Sequence, residues 1–129
     1  MRKLLVVIAV LLAAALLPPG AQGSGTGTLK GAVYNTTCYG PCRYPSPPPP
    51  LYTGDDLVVA IRSLPDRELV AVLRPKDGRF RIDLKAGYYR VRAFIRNGEP
   101  CWEDDIKNVK VVRDQVTGVR LSVYNACIV

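Results

Sequence analysis

The sequence predicts an all-β fold, a seven-stranded Greek-key sandwich. Seven short segments alternate apolar and polar side chains, which is the pattern of half-buried strands. Turn-forming residues such as Gly, Pro and Asp separate these segments, and no segment beyond residue 28 repeats its apolar residues with the period of an amphipathic helix. The chain has 129 residues, which is enough for one such domain.

Residues 1–23 have the features of a secretory signal peptide. Two basic residues precede an uninterrupted apolar run at residues 4–17, and a Pro-Pro-Gly sequence follows it. Small residues at Ala21 and Gly23 fit a cleavage site. The apolar run is shorter than the roughly 20 residues that a membrane-spanning helix needs. We therefore expect residues 24–129 to form a single secreted domain of the extracellular space or cell envelope, without a membrane span.

The strands are expected in a simple order along the exported domain. Gly and Thr fill residues 23–28, which we expect to be a flexible lead-in to a first strand at residues 29–34. A Cys- and Pro-rich loop follows at residues 35–56, where the prolines favour an extended polyproline II path. The Asp77-Gly78 pair marks a tight turn. The remaining strands are expected at residues 57–62, 68–74, 79–85, 89–96, 106–112 and 116–124.

Several of these segments also carry a family resemblance. Leu29-Lys-Gly31-Ala-Val33, Asp77-Gly-Arg-Phe80 and Leu84-Lys-Ala-Gly87-Tyr-Tyr89, together with the segments at 57–61 and 119–123, resemble the carboxypeptidase regulatory-like family of transthyretin-like (prealbumin-like) sandwiches. The resemblance covers nearly the whole exported domain. It implies an immunoglobulin-like arrangement of strands in a non-catalytic module, which in that family is attached to peptidases, surface proteins and carbohydrate-active enzymes.

Catalysis is not expected of this chain. It contains no histidine, which excludes Ser-His-Asp triads and His-ligated metal or haem sites. The similar hydroxyisourate hydrolases depend on histidines and on a Tyr-Arg-Gly-Ser end, whereas this chain ends Asn125-Ala-Cys-Ile-Val129. The similar collagen-binding B-type repeats join an inward Lys to an Asn, but Lys30 alternates outward, so we expect no cross-link to Asn125. No cofactor and no metal site are expected either.

The cysteines are expected to gather at one end of the sandwich. If the strands alternate up and down, the first, third and fifth connections and the C-terminus share one end, which we call the cysteine pole. It would contain Cys38, Cys42, Cys101 and Cys127. Export implies an oxidising compartment, so two disulfides are expected, whereas zinc ligation is disfavoured by the C-x₃-C spacing.

The pairing of these cysteines has two alternatives. The first and last strands are neighbours in the resembled family, which favours one bridge from the loop at 35–56 to the C-terminus and another from that loop to Cys101. A local bridge between Cys38 and Cys42, leaving Cys101 with Cys127, is the competing arrangement.

The cysteine pole also concentrates aromatic and acidic side chains. Tyr39, Tyr44, Tyr52 and Trp102 would form a stacking surface for a sugar or a peptide, unless Trp102 packs over a disulfide. The pole also carries enough carboxylates to supply the oxygen ligands of a Ca²⁺ ion, but they lack the spacing of a calcium loop. We therefore expect them to be solvated or ion-paired. These carboxylates belong to Asp55, Asp56, Asp77, Glu99, Glu103, Asp104 and Asp105.

The chain has a net charge of +7, and part of this charge is predicted to form a basic face on the outer side of two adjacent strands. It would consist of Arg81, Arg90, Arg92 and Arg96, a composition that suits a polyanion. Asp83 is expected opposite Arg90 across a hairpin, which favours a solvated face with a cross-strand ion pair.

Together these features indicate a secreted, non-catalytic structural or adhesive module of a cell surface. In one variant the N-terminal segment completes a neighbour's sheet and the module assembles with itself. The alternative is a carbohydrate- or peptide-binding module that uses the aromatic rings of the cysteine pole. The partners would be further copies, surface proteins or glycans, and not nucleic acid.

Overall fold

The computed structural model describes residues 25–38 and 47–127. The predicted signal peptide therefore lies outside the described residues, as do Tyr39, Cys42 and Tyr44. Within the described residues, no helix is long and apolar enough to cross a membrane.

The described residues form an all-β sandwich, as predicted. One four-stranded sheet, the first sheet, has the order β4-β1-β8-β6, and the second sheet has the order β3-β2-β5-β7. Eight strands are present in the described residues instead of seven, because two residues after Cys101 pair with the end of the last strand. The strands are β1 (Thr26–Asn35), β2 (Leu57–Ser63), β3 (Leu69–Leu73), β4 (Arg79–Lys85), β5 (Gly87–Ile95), β6 (Trp102–Glu103), β7 (Asp105–Val111) and β8 (Val116–Asn125).

Strand β1 lies in the middle of the first sheet. It pairs antiparallel with β4 and parallel with β8 along most of its length. Its first residues, Thr26 to Thr28, are already paired with β4, and Thr28 also pairs with Val116 of β8. The expected flexible lead-in is therefore wrong from Thr26 onward, because these residues complete the domain's own sheet.

The core lies between the two sheets and is built by the predicted alternation of side chains. Each fully buried Val, Leu or Ile side chain contributes about 1.5 to 3 kcal/mol through removal of apolar surface from water. The side chains with 0% exposure are Leu29, Val33, Leu57, Val59, Ile61, Val91, Ala93, Leu121 and Val123.

The strand directions place the first, third and fifth connections and the C-terminal residues at one end, as predicted, so that Cys38, Cys101 and Cys127 lie at the cysteine pole. The Val33 amide donates to the Gly78 carbonyl over 2.7 Å, which brings the third connection against the end of β1. The loop before β2 is held there as well, because the Tyr52 amide donates to the Val33 carbonyl over 2.9 Å.

The connection between β4 and β5 crosses from the first sheet to the second, so the expected hairpin is wrong. Leu84 and Tyr89 are both buried, and they reach the core from opposite sheets. Asp83 and Arg90 are consequently not opposite each other. Asp83 accepts a hydrogen bond from the Thr28 hydroxyl over 2.7 Å, and Arg90 donates from Nε to Asn108 Oδ1 over 3.3 Å.

Candidate functional site

A disulfide joins Cys101 to Cys127 at the cysteine pole, with Cα atoms 5.0 Å apart. Cys38 is also disulfide-bonded, and no free cysteine occurs among the described residues. The favoured bridges from the loop at 35–56 to Cys101 and to the C-terminus are therefore wrong, whereas the competing pairing of Cys101 with Cys127 is confirmed. The reason is β6, which pairs Trp102 with Asn125 and so brings the flanking cysteines together.

The first residues of the loop at 35–56 lie beside the last strand, as expected, and hydrogen bonds of Thr36 and Thr37 hold them there. The Thr36 amide donates to the Val123 carbonyl over 2.9 Å, and the Asn125 amide donates to the Thr37 hydroxyl over 2.8 Å. The Asn125 side chain accepts from the Cys127 amide over 2.9 Å. Lys30 is exposed and lies beside Gly118 in the register of β8, seven positions from Asn125.

The aromatic rings of the cysteine pole do not form one exposed surface. Tyr52 is only 8% exposed, and its hydroxyl donates to Asp56 Oδ1 over 2.5 Å. Trp102 is half-buried, packs against the core and meets the Tyr52 ring edge-on, with centroids 5.4 Å apart. The prediction that Tyr52 stacks on a ligand is therefore wrong, because its ring completes the core beneath Trp102.

Several of the acidic side chains of the pole have separate partners. Asp104 forms a salt bridge of 2.6 Å with Arg92, and Asp105 accepts a hydrogen bond from the Ser122 amide over 2.9 Å. Asp77 accepts from the Arg79 amide over 3.2 Å. Within residues 25–38 and 47–127, no group of three or more potential ligands lies close enough together to hold a metal ion.

The predicted basic face is divided between the two sheets. Arg90 and Arg92 lie on the outer side of the second sheet, and the exposed Arg96 follows the end of β5, whereas Arg81 belongs to the first sheet. The four arginines therefore do not form one surface, because β4 and β5 are in different sheets.

The basic side chains of the second sheet are matched by neighbours. The Arg92 guanidinium pairs with Asp104 and lies 4.4 Å from the centre of the Phe94 ring. The Lys110 ammonium lies 5.6 Å from the centre of the Tyr88 ring. Arg92 and Lys110 therefore have internal partners for their positive charge, whereas Arg62 lies directly opposite Arg90 in the register of β2 and β5.

The outer side of the first sheet carries a different group of exposed cations, which we call the first-sheet basic face. It consists of Lys30, Arg79, Arg81 and Arg120. None of the four forms a salt bridge with any described residue. Lys30 lies directly beside Arg81, and Ala32 lies between Arg79 and Arg120. The alternation of β1 and β4 showed that Lys30, Arg79 and Arg81 face outward, but their proximity depends on the pairing of these two strands.

Strand β3 forms one edge of the second sheet and pairs only with β2. Its five residues, Leu69-Val-Ala-Val-Leu73, include no charge. Leu69, Val70 and Val72 are 51%, 45% and 49% exposed, although all three are apolar. The charged residues Glu68 and Arg74, both exposed, flank the strand.

The strands and disulfides of the described residues show that this chain is a disulfide-bonded all-β sandwich. No protein-family model matches the chain, and no curated protein sequence matches it. Among solved structures it is similar to a pilus-presented adhesin, Spy0125 (Cpa), with 13% sequence identity and a TM-score of 0.29. The alignment covers 81% of this chain and 28% of the adhesin chain. A likeness this low supports no conclusion about function.

Proposed function

We propose that this chain is a secreted, non-catalytic sandwich that acts as a structural or adhesive module of a cell surface and associates with a second copy of itself through β3. The N-terminal apolar run and the Cys101–Cys127 disulfide support an oxidising compartment outside the cytoplasm. The resemblance to the carboxypeptidase regulatory-like family supports a module without catalysis. The exposed apolar edge at β3 carries the proposal of self-association.

An open strand edge presents unpaired backbone donors and acceptors to any chain that can add a strand. Proteins protect such edges with charges, prolines, bulges or very short strands. Strand β3 has five residues and a register shift at Val70, which lies between the partners of Ile61 and Arg62, but it has neither charge nor proline. The exposed side chains of Leu69, Val70 and Val72 add apolar surface that a second strand would bury.

The residues of β3 are complementary to themselves. The sequence Leu69-Val-Ala-Val-Leu73 reads identically in both directions, and Glu68 and Arg74 flank it with opposite charges. In a regular antiparallel pair centred on Ala71, without the register shift that β3 has against β2, Leu69 would lie opposite Leu73 of the second copy and Glu68 would lie opposite Arg74. Such a pair obeys two-fold symmetry, in which each contact occurs twice.

This arrangement replaces strand donation by the N-terminal segment. Thr26 and Gly27 already pair with Lys85 and Leu84 in the same chain, so they are not available to a neighbour. Deletion of residues 24–28 would therefore remove part of β1 and would not test assembly.

The experiment exchanges the charges at the two ends of β3 in the mature protein. We expect sedimentation velocity to show a dimer for the wild type. Glu68→Arg and Arg74→Glu should each be monomeric, because each variant places like charges opposite each other twice in its own dimer. An equimolar mixture of these two variants should form a heterodimer, since both charge pairs are then restored.

The double variant Glu68→Arg/Arg74→Glu is the matched control and should dimerise like the wild type. A wild type that stays monomeric up to its solubility limit would refute self-association. A dimer that neither single variant weakens would show that association uses another surface and would equally refute the role of β3.

A further inference from the structure

We propose that the first-sheet basic face binds an acidic polysaccharide through its carboxylate or sulfate groups. This site is separate from the proposed self-association, because β3 belongs to the other sheet. The proposal depends on the arrangement of Lys30, Arg79, Arg81 and Arg120 and on the contrast with the outer side of the second sheet.

The four cations lie in two successive rows across the first sheet. One row contains Arg81, Lys30 and Gly118, and the next contains Arg79, Ala32 and Arg120. Neighbouring strands are about 4.8 Å apart, so Arg79 and Arg120 flank Ala32 at a Cα separation of about 10 Å. A Cβ added at Gly118 would meet no atom within 4 Å. Ala32 therefore has a cation on each side, and Gly118 lies beside Lys30 at the border of the face, so that the two small residues leave space for a ligand.

The placement of Lys30 beside Arg81 is unfavourable for the free protein. Like charges directly opposite each other on paired strands destabilise a sheet. No carboxylate among the described residues forms a salt bridge with either side chain. Asp83, the acidic residue of β4, is hydrogen-bonded to the Thr28 hydroxyl over 2.7 Å. An external anion between the two cations would relieve their repulsion.

The second sheet has a similar density of cations and provides partners for several of them, although Arg62 lies directly opposite Arg90. Arg92 is paired with Asp104, Arg90 donates to Asn108, and Lys110 lies over Tyr88. On the first-sheet basic face, Arg120 has a comparable contact with the Tyr34 ring. Lys30, Arg79 and Arg81 therefore remain as the cations of that face without a salt bridge or a ring contact among the described residues. Charge complementarity directs a polyanion to the first sheet.

The surface chemistry favours an acidic polysaccharide over single-stranded nucleic acid. Single-stranded nucleic acid binds where bases stack on exposed aromatic rings beside cations. Tyr34 borders the first-sheet basic face, but the Arg120 guanidinium covers its ring at 4.0 Å from the centroid. The planar guanidinium groups of Arg79, Arg81 and Arg120 match the paired oxygens of carboxylates and the oxygens of sulfates.

The test measures binding of the mature protein to carboxymethyl dextran and dextran sulfate of equal length by titration calorimetry. Neutral dextran and single-stranded oligo(dT) serve as comparison probes. We expect both anionic dextrans to bind, with affinity that falls as salt rises, and neutral dextran not to bind. The two anionic probes distinguish carboxylate from sulfate as the preferred group.

Two double variants that remove equal charge locate the site. Arg81→Gln/Arg120→Gln should weaken binding about tenfold, because two direct charge contacts are lost. Arg90→Gln/Lys110→Gln, on the second sheet, should change it less than about twofold. Equal losses in the two variants would show a response to net charge alone and would overturn the site.

A second measurement separates binding from folding. Lys30→Gln should raise the melting temperature of the free protein, because it removes the repulsion with Arg81, and should lower the affinity for the anionic dextrans. A fall of both quantities would indicate a structural role and would overturn the proposal. The proposal would also be overturned if neither anionic dextran binds more tightly than neutral dextran. Tighter binding of oligo(dT) than of both anionic dextrans would overturn it as well. All variants are compared at one oligomeric state, so the outcome does not depend on the test of β3.

Discussion

The hydroxyl of Tyr89 holds the point at which the chain passes from the first sheet to the second. It donates to the carbonyl of Lys85, four residues earlier, over 2.6 Å, and the side chain is 6% exposed. This contact has the form of the tyrosine corner found in Greek-key sandwiches. Burial raises the pKa of Tyr89 above its ordinary value of 10.0, because the phenolate would lose its solvation.

Tyr89→Phe should lower the free energy of unfolding at neutral pH by about 1 kcal/mol through loss of this hydrogen bond. The pKa shift predicts an additional effect in alkali. Above pH 10 the unfolded tyrosine releases its proton while the folded one retains it, so wild-type stability decreases as the pH rises through that range. Urea denaturation from pH 7 to 11 should show a smaller decrease in Tyr89→Phe. Equal slopes in the two proteins would contradict the pKa shift.

Gly78 occupies a position that no other residue fits. Its φ is +78°, and an added Cβ would lie 2.8 Å from the Tyr52 carbonyl oxygen and 2.9 Å from the Val33 carbonyl oxygen. Gly78→Ala should destabilise the domain by about 2 kcal/mol or more, from left-handed strain and overpacking. Gly118→Ala is the matched control, because its Cβ meets nothing within 4 Å. Thermal unfolding should give a lower melting temperature for Gly78→Ala than for Gly118→Ala. Similar melting temperatures would show that the loop rearranges to accept the added Cβ.

At the scale of elements, the Cys101–Cys127 disulfide fastens β6 to the end of β8. The cysteines are 26 residues apart, and closing a loop of this length restricts the unfolded chain by about 3.5 kcal/mol in the chain-entropy description. We expect Cys101→Ser/Cys127→Ser to lose a comparable free energy of unfolding in urea. Reduction of the wild type should cause at least this loss, because it also breaks the disulfide of Cys38. A loss below about 1 kcal/mol would mean that the backbone pairing of Trp102 with Asn125 already holds the ends together.

The strands could be predicted from the sequence because their alternation is a local property. Phe80 and Leu84 on β4, and Val91 and Ala93 on β5, face the core as their periodicity indicates. The assignment of β4 and β5 to different sheets could not be read from that alternation, since a hairpin and a crossover present the same pattern. The spacing of Leu84, Gly87 and Tyr89 was a signal for the crossover, because a tyrosine corner requires a buried Tyr shortly after a turn.

The candidate sites depended on that assignment. The alternation groups Arg81 with Arg90 and Arg92 only if a hairpin joins β4 to β5, and the crossover instead puts Arg81 beside Lys30. The sequence predicts Tyr52 in a solvent-exposed loop, but its amide donates to the Val33 carbonyl and its ring is buried in the core. Such long-range pairings are decided by the packing of the whole sandwich, which no local pattern records.

At the scale of the whole molecule, the two proposed surfaces lead to one geometric consequence. An antiparallel β3 pair would join the second sheets of the two copies into one continuous sheet, and the two-fold axis would be perpendicular to that sheet. The first sheets of both copies would therefore lie on the same side of the continuous sheet. Both first-sheet basic faces would then point in the same direction. A single long polysaccharide would contact both, and the second contact would form at a high effective concentration.

The dimer should therefore bind long dextran sulfate about 100-fold more tightly than a monomer does, and short oligosaccharides equally well. Glu68→Arg and Arg74→Glu both test this, because one adds positive charge and the other adds negative charge while both prevent the β3 pair. Each should lose the preference for long chains, and their equimolar mixture should regain it. If Glu68→Arg binds more tightly and Arg74→Glu more weakly at every chain length, net charge governs binding and the two faces do not act together.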